Sequence, residues 1–106
     1  MNKILFTADA IDDLQDIKKY IEEEFCSKQS AKNIILKITN RIVQLEFYPE
    51  SGTPLNSIIS IENNFRFLVC GNYIIFYCYE NDEVHIVRIL YRKRNFIQIL
   101  FNKNKY

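Results

Sequence analysis

The hydrophobic repeat of this chain changes period near its middle, and that change limits the possible folds more than any other feature. Ala10, Leu14, Ile17, Ile21 and Phe25 recur at spacings of three and four, which makes one apolar stripe on a helix of about 17 residues. Thr7 is placed to cap that helix, and Asp9 falls in its first turn, where a carboxylate suits the helix dipole. Ser30 is read as the cap of a second helix, whose stripe is Ile34, Ile35, Ile38, Ile42 and Leu45. Residues 48–57 hold both prolines and one of the two glycines, so they read as a loop. Beyond them the pattern becomes strand-like. Phe65–Cys70, Tyr73–Tyr79 and Val84–Tyr91 are rich in aromatic and β-branched residues, and short polar turns at Gly71-Asn72 and Glu80–Glu83 separate them. Residues 2–6 form a further short strand at the start, and Phe96–Phe101 fits a last strand or a short helix.

Two amphipathic helices bury too little by themselves, so their stripes need a sheet to cover. The expected architecture is a single α+β domain over residues 1–106. It has an N-terminal strand and an antiparallel two-helix hairpin packed on one face of a twisted antiparallel sheet. In the strand 65–70, Phe65, Phe67 and Val69 share one wholly apolar face, which is assigned to the helices. Arg66, Leu68 and Cys70 then point the other way. In the last strand Arg88, Leu90 and Arg92 share a face. If they align with Arg66, the open side of the sheet carries three guanidiniums around Leu68 and Leu90.

Composition narrows the function. The net charge of +1 hides a segregation. Asp9, Asp12, Asp13, Asp16, Glu22, Glu23 and Glu24 lie in the first 25 residues, whereas Arg88, Arg92, Lys93, Arg94, Lys103 and Lys105 lie in residues 84–106 without an acid. A basic C-terminal part favours an anionic partner. The acids of the first helix read as its solvated face. Cys26, Cys70 and Cys78 are odd in number and lack Cys-x-x-Cys spacing, so they read as reduced thiols and not as a disulfide or zinc framework. No metal ligands and no cofactor motif stand out. The start of the chain does not read as a signal peptide, and no apolar run reaches the roughly 18 residues of a membrane span. The lone His85 reads as a hydrogen-bonded or solvated strand histidine.

Several segments together resemble the RelE/ParE toxins of bacterial type II toxin–antitoxin systems. Phe65-Arg66-Phe67-Leu68-Val69 resembles their strand with a basic residue. Asn72-Tyr73-Ile74-Ile75-Phe76-Tyr77 is similar to their central G/D-Y-R-x-x-Y strand, with Ile74 where nuclease members carry arginine. Val84–Phe96, with Tyr91-Arg92-Lys93-Arg94-Asn95-Phe96 at its end, resembles their closing strand and H/G-x-R-R-D/E-x-Y signature. Phe6-Thr7, Ala10, Asp13-Leu14 and the Tyr48-Pro49 loop fit as well.

The resemblance implies a cytoplasmic toxin that arrests growth and is neutralised by a small, acidic, partly disordered antitoxin. Its target would be DNA gyrase for a ParE-like member, or messenger RNA in the ribosome for a RelE-like one. A metal-free ribonuclease needs groups that stabilise charge on the phosphorane and move protons. Arg66, Lys93, Arg94 and Tyr91 are the candidates for those catalytic roles. Arg66, Leu68, Arg88, Leu90, Arg92 and Phe96 are the candidates for binding the target or the antitoxin. Ile74 in the central strand, the near-neutral charge and a histidine outside the closing signature favour the gyrase-directed branch. A non-toxic interaction module is a further reading.

Overall fold

A computed structural model describes residues 2–101. Strand β1 (Lys3–Phe6) leads into helix α1 (Ala8–Phe25) and helix α2 (Lys28–Val43). After a 3-10 turn at Gln44–Glu46 come β2 (Thr53–Pro54), a second 3-10 turn at Leu55–Ser57, β3 (Arg66–Cys70), β4 (Tyr73–Glu80), β5 (Glu83–Tyr91) and the short helix α3 (Phe96–Phe101). The Thr7 side chain caps α1 by accepting from the Ala10 N–H at 3.0 Å. Cys26, in the left-handed conformation with φ 49°, ends it. The second cap is Ser27, three residues before the expected Ser30: Ser27 Oγ accepts from the Ser30 N–H at 3.0 Å, so α2 starts at once after the turn. The capping hydroxyl needs a free N–H two or three residues ahead, and Ser27 has one in Ser30.

The five strands form one sheet in the order β1-β5-β4-β3-β2. β3, β4 and β5 make the expected antiparallel meander. Asn81 and Asp82, both at positive φ, form the tight second turn, a conformation that Asn and Asp tolerate well. The sheet is mixed, however, because β1 runs parallel to β5, with Phe6 opposite Ile86. A parallel pair needs a long connection, and everything from α1 to β4 supplies it.

Side chains from both faces of the sheet are buried. On the helix side Ala10, Ile17 and Ile21 of α1 and Ala31, Ile38 and Ile42 of α2 pack on Leu68, Ile75, Tyr77, Val84, Ile86 and Ile89. On the other side Leu55, Phe76, Leu90 and Leu100 form a second cluster, joined by Phe65, Phe67 and Phe96. This reverses the face expected for β3. Phe65 and Phe67 lie away from the helical hairpin, Val69 is 48% exposed, and Leu68 and Cys70 face the helices. Both faces of β3 are apolar because both are covered, so alternation alone could not tell which was which. The cover on the far side is α3, a helix and not a strand. Phe96 lies 5.2 Å from Phe76 and Phe101 lies 5.6 Å from Phe65, centroid to centroid. Lys103 and Lys105 lie outside the described residues.

The loop after α2 is fastened to the sheet by one hydroxyl. Tyr77 is fully buried; its hydroxyl accepts from the Gly52 N–H at 2.9 Å and donates to Pro49 O at 2.8 Å. The Arg66 guanidinium closes the same loop by donating to Glu50 O and Gly52 O at 3.1 and 2.8 Å. A Cβ on Gly52 would stand 2.5 Å from the Tyr77 hydroxyl oxygen and 2.9 Å from Phe67 O, so no side chain fits there. Tyr77→Phe should lower stability by about 1–3 kcal/mol, because it strands a buried backbone N–H. Gly52→Ala should destabilise at least as much, since the intruding methyl meets backbone as well as the ring. Urea unfolding of both variants measures this, and an unchanged midpoint for Tyr77→Phe would refute the anchoring role.

Candidate functional site

β1 stops at Phe6, and past that point the outer edge of β5 is held by α1 instead of by a strand. The Thr7 N–H and hydroxyl donate to Ile86 O and Val87 O at 3.0 and 2.9 Å. A bulge in β5 follows: Tyr77 pairs with Ile86 and Phe76 with Arg88, so Val87 is the extra residue. Asp13 of α1 then takes up the next groups. Its carboxylate accepts from Arg88 Nε and Nη2 at 2.8 Å each, and from the Ile89 N–H at 2.8 Å. The fork is bidentate, the strong arrangement for an arginine–carboxylate pair. Asp13 is the one buried charged residue among the described residues, and its hydrogen bonds raise the Arg88 pKa above its ordinary value, against the lowering effect of partial burial. Asp13 was grouped with the solvated acids of α1, but it is spaced with Ala10 and Ile17 on the apolar stripe. That position was the available signal.

Just beyond this clamp a cleft of about 360 Å³ opens between α1 and the end of β5. Asp16, Ile17 and Tyr20 of α1 line one side, and Tyr73, Ile89, Leu90, Tyr91 and Arg94 line the rest. Tyr73 and Tyr91 pack edge to face with centroids 6.0 Å apart. All three tyrosines line the cleft, and the Tyr73 hydroxyl is pushed above its ordinary value first by burial and then by the neighbouring Tyr20 and Tyr91. Tyr20 and Tyr91 are 57% and 43% exposed. Arg92, Lys93 and Arg94 follow as an exposed turn, closed by the Arg94 N–H donating to Tyr91 O at 2.9 Å.

The residues proposed from sequence are not gathered on one open face. Leu68 and Leu90 are 5% and 2% exposed and belong to opposite cores. Arg88 follows the bulge and keeps its register with Leu90, but its guanidinium is committed to the Asp13 carboxylate. Phe96 stacks on Phe76 beneath α3, and Arg66 is committed to the loop carbonyls. Arg92 alone of the binding candidates is an exposed cation. The catalytic candidates divide likewise. Tyr91, Lys93 and Arg94 are consecutive or nearly so, but Arg66 pairs with Tyr77 while Tyr91 pairs with Tyr73. Four residue steps along β4 separate those rows, roughly 13 Å, with two strand spacings besides. His85 is bound to Glu83 at 3.0 Å, as read from sequence.

All three cysteines are free. Burial pushes the Cys78 thiol from 9.0 up to about 11, whereas Cys26 is exposed. A thiol reagent near pH 8 should therefore modify Cys26 first and Cys78 last, which mass spectrometry of partly labelled protein can read. Early labelling of Cys78 would contradict its burial.

A helical hairpin across a mixed sheet, with an antiparallel meander ending in a basic turn, defines an α+β domain of the RelE/ParE type. One solved structure, from the chromosomal ParDE toxin–antitoxin system of P. aeruginosa, superposes with a TM-score of 0.72 at 18% identity, covering 86% of this chain and 96% of that one. Residues 4–96 match the family described as ParE toxin of type II toxin–antitoxin system, parDE. The chain belongs to that family of toxins. No curated protein matches it.

The clamp makes a quantitative demand. Asp13→Ala leaves Arg88 and the Ile89 N–H without their partner, and should cost about 3 kcal/mol. Asp13→Leu combined with Arg88→Met should cost clearly less than the two single changes summed, because the second removes the charge that the first has stranded. Additive losses in a chemical-denaturation cycle would mean that the two side chains do not act as a pair.

Proposed function

We propose that this chain is a growth-arresting toxin that acts on DNA gyrase in the bacterial cytoplasm and is held inactive by a small acidic antitoxin. The match to the ParE toxin family over residues 4–96 carries the reading. The chemistry of the site supports the same branch. RNA cleavage without a metal needs cations and a proton carrier around one phosphate, and Arg66 is remote from Tyr91 and occupied with Glu50 O and Gly52 O. Ile74 stands where nuclease relatives carry arginine, and Phe96 supplies no hydroxyl. Among the described residues no helix is long and apolar enough to cross a membrane.

Inhibition of gyrase is a binding function, so it depends on surface and not on an assembled catalytic set. Purified protein should block supercoiling by gyrase in a plasmid assay and leave added RNA intact. Induction of Arg66→Ala, once shown to fold, should arrest growth as the wild-type chain does, without new 5′ ends on cellular messages. New message ends that vanish with Arg66→Ala would establish the nuclease branch. Uninterrupted growth on induction of the wild-type chain would point to a non-toxic interaction module.

A further inference from the structure

The outer face of the helical hairpin carries charges that the hairpin itself does not match. α1 and α2 lie side by side, with Ala10, Ile17 and Ile21 of one and Ala31, Ile38 and Ile42 of the other turned to the sheet. α1 holds seven carboxylates against Lys18 and Lys19, whereas α2 holds Lys28, Lys32, Lys37 and Arg41 and no acid. Among the described residues no ion pair joins the two helices. Lys18 pairs with Glu22 inside α1 at 3.6 Å, and Asp13 pairs with Arg88 of β5. Direction explains this for the acids. At about 100° per residue, Asp12 and Glu23 fall on the side of α1 turned away from the sheet. Both are exposed, as are Lys32 and Lys37 on α2.

The same face is partly apolar. Leu36 and Val43 stand two turns apart on the outward side of α2, 48% and 51% exposed. Phe47, 60% exposed, follows just past the end of the helix. An exposed apolar strip rimmed by charged residues has the make-up of a contact surface.

The charge pattern states what fits. A uniformly acidic partner would satisfy α2 and be repelled by α1, and a basic partner the reverse. A copy of the same chain satisfies both helices at once. Turned about a twofold axis that runs along the helices, it lays its α1 over α2 and receives α1 on its own α2. Both crossed pairs run antiparallel, as the hairpin does, and every contact is made twice. Stacking α1 on α1 would oppose like charges instead.

We propose that the outer face of the helical hairpin is a self-association surface, on which a second copy of this chain lays its acidic α1 against the basic α2 and covers Leu36, Val43 and Phe47. The inference stands apart from the choice of cellular target, since it uses neither the end of β5 nor the basic turn.

Sedimentation equilibrium of the full chain tests it. The mass should rise with concentration from 12.7 kDa toward twice that value. Leu36→Glu should weaken association about ten-fold or more, and raising the salt to about 0.5 M should weaken it as well. Two charge-reversed chains give the sharper test. One carries Lys32→Glu with Lys37→Glu, and the other carries Asp12→Lys with Glu23→Lys. Each alone should stay monomeric, because its α1 and α2 now bear the same sign. Their equal mixture should form dimers again, because each chain then meets the opposite sign on both helices. Recovery in the mixture also shows that both variants are folded, and thermal melts check this independently. A wild-type chain that remains monomeric at about 0.5 mM overturns the proposal, since the surface would then be too weak to matter. Reversed chains that self-associate as the wild type does, or folded reversed chains whose mixture stays monomeric, overturn it equally.

Discussion

The Asp13 carboxylate is the constraint on which the rest of this structure depends. Three hydrogen bonds of 2.8 Å converge on it, two from Arg88 and one from the Ile89 amide. β1 covers β5 only as far as Ile86. Without Asp13, the strand would leave a bulge, a guanidinium and a backbone N–H together at an uncovered edge. A charged group so nearly buried is tolerated because its partners are forked and complete. The clamp sets the first helix over the last strand, and that placement opens the cleft beside Tyr91.

Coverage of the sheet determines where the molecule can meet a partner. The helical hairpin occupies one face, and α3 with the Leu55–Ser57 turn occupies the other. No flat sheet face lined with arginines is therefore open among the described residues. The exposed cations of the C-terminal part, Arg92, Lys93 and Arg94, lie at the rim instead, next to Tyr91 at the end of β5. α3 extends from Phe96, the last residue of the family match, so most of the helix that closes the far face lies past that match.

Much of the fold was readable in the sequence because its local signals are strong. Thr7 announces α1, the 3.6-residue stripes announce both helices, and the two polar turns divide the meander. Phe25 illustrates the limit of a stripe: it keeps the spacing yet is 65% exposed, where the helix ends in the Cys26 turn. The errors are of one physical kind. Parity identifies which residues share a face but not which face is covered, and Phe65 and Leu68 are both apolar because each meets a core. Parity also fails across a bulge, which no residue between Ile86 and Arg88 advertises. The role of Asp13 was hidden for a related reason, since an acid among acids looks solvated unless its place on the stripe is weighed. The parallel pairing of β1 depends on contacts about 80 residues apart, which periodicity does not report.

Native-state hydrogen exchange at the Ile89 amide tests the clamp most directly. If Asp13 holds that N–H, its exchange in the free protein should be among the slowest in the chain and should require global unfolding. An Ile89 amide that exchanges as quickly as those of exposed loops, in a protein that is otherwise well protected, would show that Asp13 does not secure the edge of β5.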